Sequence, residues 1–340
     1  MEKIGFGIIG TGSIVNTYVK CIDELTQAKL VALYTKSSER IDSAQKEFGV
    51  PVFDDMEQFL KQADVNIVCV CNESGNHGAA IKAAAKAGKH VLSEKPLEVS
   101  LEKIDEVIAV CEQQKVMLGC TLQNRCSPEY VELYDAVSQG KLGKLLMGNA
   151  HINWYRPTEY YKNNPWRGTM RLDGGAAFMN QGVHTIDLLL NVMGQVNSVF
   201  GNVKTLVHDI EGEDVGSAIL SFASGAIGTI TGGTALYPGY PEKLEVYGEK
   251  GSILMEGGEI VQWNVKGLPR PSSTPSRELG SGASDPTAIT HLNHKKVIED
   301  MMTAVMENRS PMVDGPEARK AVEVITSIYK SSEEARVVSL

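Results

Sequence analysis

The strongest constraint on this chain is the strand, turn and helix at its start. The apolar run at residues 4–9 ends on Gly10-Thr11-Gly12-Ser13-Ile14-Val15, and a helical pattern follows. A glycine in the first place permits a tight turn. One in the second lets the backbone approach a pyrophosphate at the positive end of the helix. The third place holds Val15 rather than Gly or Ala, so the fingerprint is incomplete. Short apolar runs recur at residues 30–34, 65–71, 90–92 and 116–120. Helical patterns fill the gaps, one over 78–87 closed by Gly88 and one with Ile104, Val107, Ile108 and Cys111 on one face. This alternation predicts an α/β, doubly wound parallel sheet over residues 1–122, a dinucleotide-binding domain.

The texture changes after residue 122. Strand-like runs at 198–207, 218–222, 226–231, 243–247, 253–256 and 260–265 are separated by turn residues. They predict a large, mostly antiparallel open sheet in a second, α+β domain over 123–340. Residues 267–286 are rich in Pro, Ser and Gly and read as an exposed loop. The tail from 291 to 334 is helical, with Val322, Ile325 and Tyr329 spaced for one buried face. Its helices are expected to pack back on the first domain.

A chain of 340 residues has room for about two domains. With 33 Lys and Arg against 42 Asp and Glu, its net charge of −9 lacks the footprint of a general nucleic-acid binder. No apolar stretch is long enough for a membrane span. The cysteines Cys21, Cys69, Cys71, Cys111, Cys120 and Cys126 contain no C-x-x-C pair. Packed thiols, no metal and a reducing, cytoplasmic compartment are the reading.

The end of the second strand reads the adenosine ribose, an acid there favouring NAD. Here Tyr34-Thr35-Lys36-Ser37-Ser38 runs without an acid until Glu39. Thr35, Lys36 and Ser37 are suited to a 2′-phosphate, so the expected cofactor is NAD(P), with a lean to NADP.

Three further segments are distinctive: residues 87–97, AGKHVLSEKPL; Asp173-Gly174-Gly175 followed by Asn180-Gln181-Gly182-Val183-His184-Thr185-Ile186-Asp187; and residues 311–319, PMVDGPEAR. With the glycine turn, they resemble the glucose–fructose oxidoreductase / inositol dehydrogenase (Gfo/Idh/MocA) family over essentially the whole chain. The resemblance implies a Rossmann domain, a C-terminal sheet domain through which members associate as homodimers or homotetramers, and hydride transfer between a nicotinamide and the hydroxyl carbon of a sugar, nucleotide sugar or cyclitol. By matching position, Lys95 and His184 correspond to the family's catalytic lysine and histidine, and Asp187 to its H-x-x-D acid. Asn180 stands where inositol dehydrogenase-like members carry aspartate and nucleotide-sugar members often asparagine. Members often have a cis bond before the proline matching Pro96.

The chemistry agrees. Oxidising an alcohol needs a proton acceptor near the oxygen, and a lysine beside an oxidised nicotinamide has its pKa lowered by the positive ring. The expectation is one amine held against the nicotinamide, with an imidazole approaching from the second domain. Glu94 either pairs with Lys95 or contacts the nicotinamide ribose. His184 and Asp187, three apart on a helix over 182–193, reach one side of it, where the carboxylate would orient the imidazole.

Asn72-Glu73 stands where members often read Thr-Pro, and the segment from Cys71 to His77 departs from the usual pattern but retains the His, with backbone groups around Cys71 and Asn72 expected to face the cofactor; His77 is either a cofactor neighbour or a helix-start packing group. Asn124 and Arg125 match an asparagine–arginine pair close to the nicotinamide. Around Trp154, Tyr160, Tyr161 and Trp166, aromatic faces suit a sugar ring and arginines an anion. Tyr155 and Arg167 are the expected substrate contacts, beside Lys95, Asn180 and His184. Two other functions fit less well: a glycosidase that keeps its nicotinamide bound, and a non-catalytic dinucleotide sensor.

Overall fold

The structure, a computed structural model, describes residues 3–270 and 291–340. In chain order its main elements are β1 (Ile4–Ile9), α1 (Ile14–Asp23), β2 (Ala28–Tyr34), α2 (Ile41–Phe48), β3 (Val52–Phe53), α3 (Met56–Leu60), β4 (Ile67–Val70), α4 (His77–Lys86), β5 (His90–Ser93), α5 (Leu101–Gln114) and β6 (Leu118–Cys120). Then come α6 (Pro128–Ser138), β7 (Leu145–Asn153), α7 (Thr158–Lys162), α8 (Val183–Met193), β8 (Val196–Lys204), β9 (Val215–Phe222), β10 (Ile227–Gly233), β11 (Lys243–Gly248), β12 (Gly251–Glu256) and β13 (Glu259–Val265). The helices α9 (Leu292–Glu307) and α10 (Gly315–Glu334) and the short β14 (Val338–Ser339) close the chain. Two compact units form, one of Met1–Leu122 with His291–Arg319, the other of Gln123–Thr290 with Lys320–Leu340.

The first unit is built on a parallel sheet of order β3-β2-β1-β4-β5-β6. Its central strands are continuous apolar runs because helices cover both faces; Ile8, Ile67, Val68, Cys69 and Val70 have no exposed surface. Strand order reverses direction between β1 and β4, which opens the crevice where doubly wound sheets bind ligands. α4 ends at Gly88, whose φ of +72° suits glycine. From the tail, α9 packs on α1, with the Cys21 thiol on the His291 carbonyl at 3.5 Å and Lys295 on Glu24 at 3.0 Å.

The second unit is an eight-stranded sheet, β13-β12-β11-β7-β10-β9-β8-β14, antiparallel except where β7 and β10 run parallel. β7 lies mid-sheet and is absent from the sequence reading. Its centre is Gly148-Asn149-Ala150, small where α8 presses: a Cβ on Gly148 would stand 2.6 Å from Met193. Close helix packing has removed the branched side chains that mark a strand. β8 stops at Lys204 rather than 207 because Asp214 captures the next amides, those of Leu206, Val207 and His208, at 2.8, 2.8 and 2.9 Å. The expected helix over 182–193 starts earlier, as a π-helical turn over Ala177–Gly182 that runs into α8. The expected loop over 267–286 lies outside the described residues beyond Arg270.

Candidate active site

In the first unit the glycine turn caps the crevice. Gly10 has a φ of +117°, and a Cβ there would stand 2.6 Å from the Cys71 carbonyl oxygen. Gly12 faces open space, with nothing within 4 Å of the place its Cβ would take. Gly12 and Ser13 are exposed, and Ser13, at the N-cap of α1, makes no side-chain cap hydrogen bond. The Asn72 side-chain oxygen is buried without a partner. Bare amides at a helix start, an open glycine and an orphaned acceptor fit a dinucleotide pyrophosphate and its ribose. At the end of β2, the buried Thr35 hydroxyl meets that of Thr11 at 3.3 Å and receives the Ser37 amide at 3.3 Å, so it serves the turn itself. Lys36 is exposed.

His77 is a bracket between two loops. It is buried, with Nδ1 2.8 Å from the Pro96 carbonyl and Nε2 3.0 Å from the Asn72 carbonyl. It ties the loop after β4 to the loop after β5. Burial also pushes the Cys71 thiol well up, which removes it as a nucleophile.

The second loop carries Lys95, joined to Pro96 by a cis peptide. From Val91 to Glu98 every residue is buried except Lys95. Beneath it Glu94 accepts the Tyr18 hydroxyl at 2.8 Å and the Lys95 main-chain amide at 3.2 Å. Tyr18 also meets Thr121 at 2.7 Å, and His294 of α9 brings Nε2 to 4.0 Å from Glu94. Glu94 is thus held from below by a buried polar cluster. Tyr18 and His294 carried no signal in the sequence, since an isolated Tyr or His on a helix reads as packing. Burial pushes the Tyr18 hydroxyl up and the His294 imidazole down, so both stay neutral near pH 7.

In the second unit the Asp-Gly-Gly turn leads through the π-helical turn into α8. From Asp173 to Leu190 every residue is buried except Asn180, Gln181 and His184. Two of the residues singled out from the sequence are therefore among the three that open to solvent, four apart on one face. The Asn180 amide donates to Asp173, whose other oxygen accepts the Gly168 amide at 2.7 Å. Gln181 donates to the Tyr160 hydroxyl at 2.7 Å and accepts from Arg156 at 3.0 Å. Arg167 lies on the Tyr160 ring at 3.9 Å, with its Nε buried and unpartnered. Tyr155 stands edge-on to the exposed Tyr237 at 5.2 Å. Gln181, Asp173 and the buried Arg156 were given no role, although Asp173 and Gln181 lie inside a quoted motif and Arg156 adjoins Tyr155.

Asp187 is held by a cation from another segment. Its carboxylate takes Arg125 at two points, Nε to Oδ2 at 2.8 Å and Nη2 to Oδ1 at 2.6 Å. Arg125, expected beside the nicotinamide with Asn124, supplies the cation of this buried pair. An i, i+3 spacing places a carboxylate near an imidazole but does not exclude a stronger bidentate cation from another segment.

Comparison with known proteins decides the class. The oxidoreductase family model with an NAD-binding Rossmann fold matches residues 4–122, and the Gfo/Idh/MocA C-terminal domain matches residues 130–254. The chain belongs to the Gfo/Idh/MocA oxidoreductase family. This family member is 27% identical to myo-inositol 2-dehydrogenase of Thermotoga maritima over 98% of each chain. It superposes with a TM-score of 0.91 on the WlbA dehydrogenase of Bordetella pertussis, solved with NADH and UDP-GlcNAcA, at 30% identity over 100% of this chain and 98% of that one. The WlbA dehydrogenase of Chromobacterium violaceum, solved with the same two ligands, gives 0.88 at 29% identity over 100% and 96%. The Gfo/Idh/MocA member described here is an NAD-binding oxidoreductase. Among its described residues no group of His, Cys, Asp or Glu is arranged to hold a metal, and no helix is long and apolar enough to cross a membrane.

Proposed function

We propose that this family member transfers a hydride between a nicotinamide and a secondary hydroxyl of an anionic nucleotide sugar. Lys95 takes the hydroxyl proton; His184 and Asn180 hold and polarise the oxygen. The observation that carries the reading is the pattern of exposure: Lys95 alone opens within residues 91–98, and Asn180, Gln181 and His184 alone within residues 173–190. A primary amine is a suitable acceptor for an alcohol proton, and an imidazole and an amide supply directed hydrogen bonds. Tyr155 and Arg167 contact the substrate. A guanidinium laid on an aromatic ring, with one N–H free, suits a phosphate or carboxylate on a flat sugar. The WlbA relatives, both solved with UDP-GlcNAcA, support this substrate class.

Bound nicotinamide supplies the hydride acceptor. The amides of Gly12, Ser13 and Ile14 hold the pyrophosphate, and the unpartnered Asn72 oxygen takes a ribose hydroxyl. Lys36 and Ser37, with no carboxylate before Glu39, admit a 2′-phosphate, so NADP is accepted beside NAD. Glu94 and Arg125 act behind the site by positioning their neighbours. The outer face of the second unit's sheet exposes Phe200, Ile219, Ile227 and Met147 at 46, 57, 51 and 38%. That face supports association of copies as a homodimer or homotetramer. The six free, buried cysteines support a cytoplasmic location.

The test is a panel of UDP-hexuronates, UDP-hexoses and free inositols with NAD or NADP, followed by the absorbance of the reduced nicotinamide. Turnover of a UDP-hexuronate and not of myo-inositol is expected. Oxidation of free inositol in preference would overturn the substrate class, and failure to bind either nucleotide would overturn the reading as a whole.

A further inference from the structure

Glu213 lies between β8 and β9 and is 4% exposed. Its Oε1 accepts the Phe178 amide at 2.6 Å and the Tyr329 hydroxyl at 2.9 Å, and its Oε2 accepts the Ala176 amide at 3.1 Å. Its main-chain carbonyl accepts the Ala177 amide at 3.1 Å. Three successive amides thus end on one residue, at the point where the chain enters the π-helical turn. Asn180 follows two residues later, and His184 four after that.

We propose that Glu213 is a positioning residue: its ionised carboxylate fixes residues 176–178, and through them the presentation of Asn180 and His184, so that its protonation slackens the turn and lowers turnover. The inference rests on the assignment of Asn180 and His184 to the substrate. Burial raises the Glu213 carboxyl to about 7, against the pull of its hydrogen bonds. The groups that face it are Tyr329 on α10 and Tyr161 on α7, and Asp173 at the head of the turn acts on both of these phenols. Tyr329 is pushed well up by burial and by Glu213 itself, and Tyr161 is also pushed up by burial, so both phenols stay protonated when Glu213 ionises. The Tyr329 hydroxyl is therefore a donor that favours the carboxylate.

The experiment is the pH profile of kcat for the wild type, Tyr329→Phe and Glu213→Gln, with His184→Ala as the control on the site. Tyr329→Phe removes a donor to the charged form, so the acid-side midpoint belonging to Glu213 should move up by roughly half to one pH unit. Glu213→Gln should lose that step and run about tenfold slower on the plateau, with KM changed less than kcat. If Glu213→Gln does not fold, the Tyr329→Phe shift decides alone. Profiles of Tyr329→Phe and any folded Glu213→Gln that superimpose on the wild type would overturn the inference while His184→Ala remains inactive. A fully active His184→Ala would overturn the site assignment and the inference with it.

Discussion

Asp187 grips Arg125 through two parallel N–H bonds of 2.8 and 2.6 Å, with both side chains under a tenth exposed. The pair joins α8 to the short turn over Gln123–Cys126, where the second unit begins. A buried pair of this geometry is weak evidence for net stability but a strong liability when half of it is removed. Asp187→Ala takes the bidentate carboxylate from a buried guanidinium and should cost about 3–5 kcal/mol in urea unfolding. The double change Arg125→Met with Asp187→Leu should recover most of the loss. A single-variant loss below about 1 kcal/mol, the range of exposed pairs, would show that the pair is not buried in solution.

The two turn glycines should separate folding from binding. Gly10→Ala places a Cβ against the Cys71 carbonyl, at a φ of +117°, and should lower the melting temperature. Gly12→Ala meets nothing within 4 Å and should melt like the wild type. It should still weaken NADH binding by about tenfold or more, because the methyl stands where the pyrophosphate must approach. Fluorescence titration and thermal melts check both. Equal NADH affinity in Gly12→Ala and wild type would remove this turn from the binding site.

The parallel sheet was legible because strands buried on both faces are written as unbroken apolar runs, as Val68-Cys69-Val70 is. The two-residue β3 is too short to show any period. β7 was hidden because packing against α8 selected Gly148 and Ala150, and small residues do not announce a strand. At the site, Lys95, Asn180 and His184 were legible by their place in motifs. The residues that hold them were not, since Glu94 with Tyr18, and Glu213 with Tyr329, are paired across 76 and 116 residues of sequence. Periodicity reports which way a side chain faces; it does not report which distant side chain it meets.

Glu213 should also mark the pH dependence of stability. Its folded-state carboxyl is raised from 4.5 to about 7 by burial. The native state therefore retains a proton that the unfolded chain gives up between those values. The resulting stability is complete below about pH 4.5 and is lost as pH rises through about 7, on the order of 3 kcal/mol in all. The free-energy difference between wild type and Glu213→Gln, measured in urea at pH 5 and at pH 8, should shift against the wild type at the higher pH. A difference that does not change with pH would show that the carboxyl titrates normally.

The central claim is that the Lys95 amine accepts the substrate proton in a nicotinamide-dependent oxidation. It is tested most directly by kcat of Lys95→Ala on the best substrate of the panel, with and without an added small primary amine. The account predicts a fall of about 10²–10⁴-fold, NADH affinity close to that of the wild type, and partial recovery of turnover with the amine. Turnover within a few-fold of wild type would contradict it.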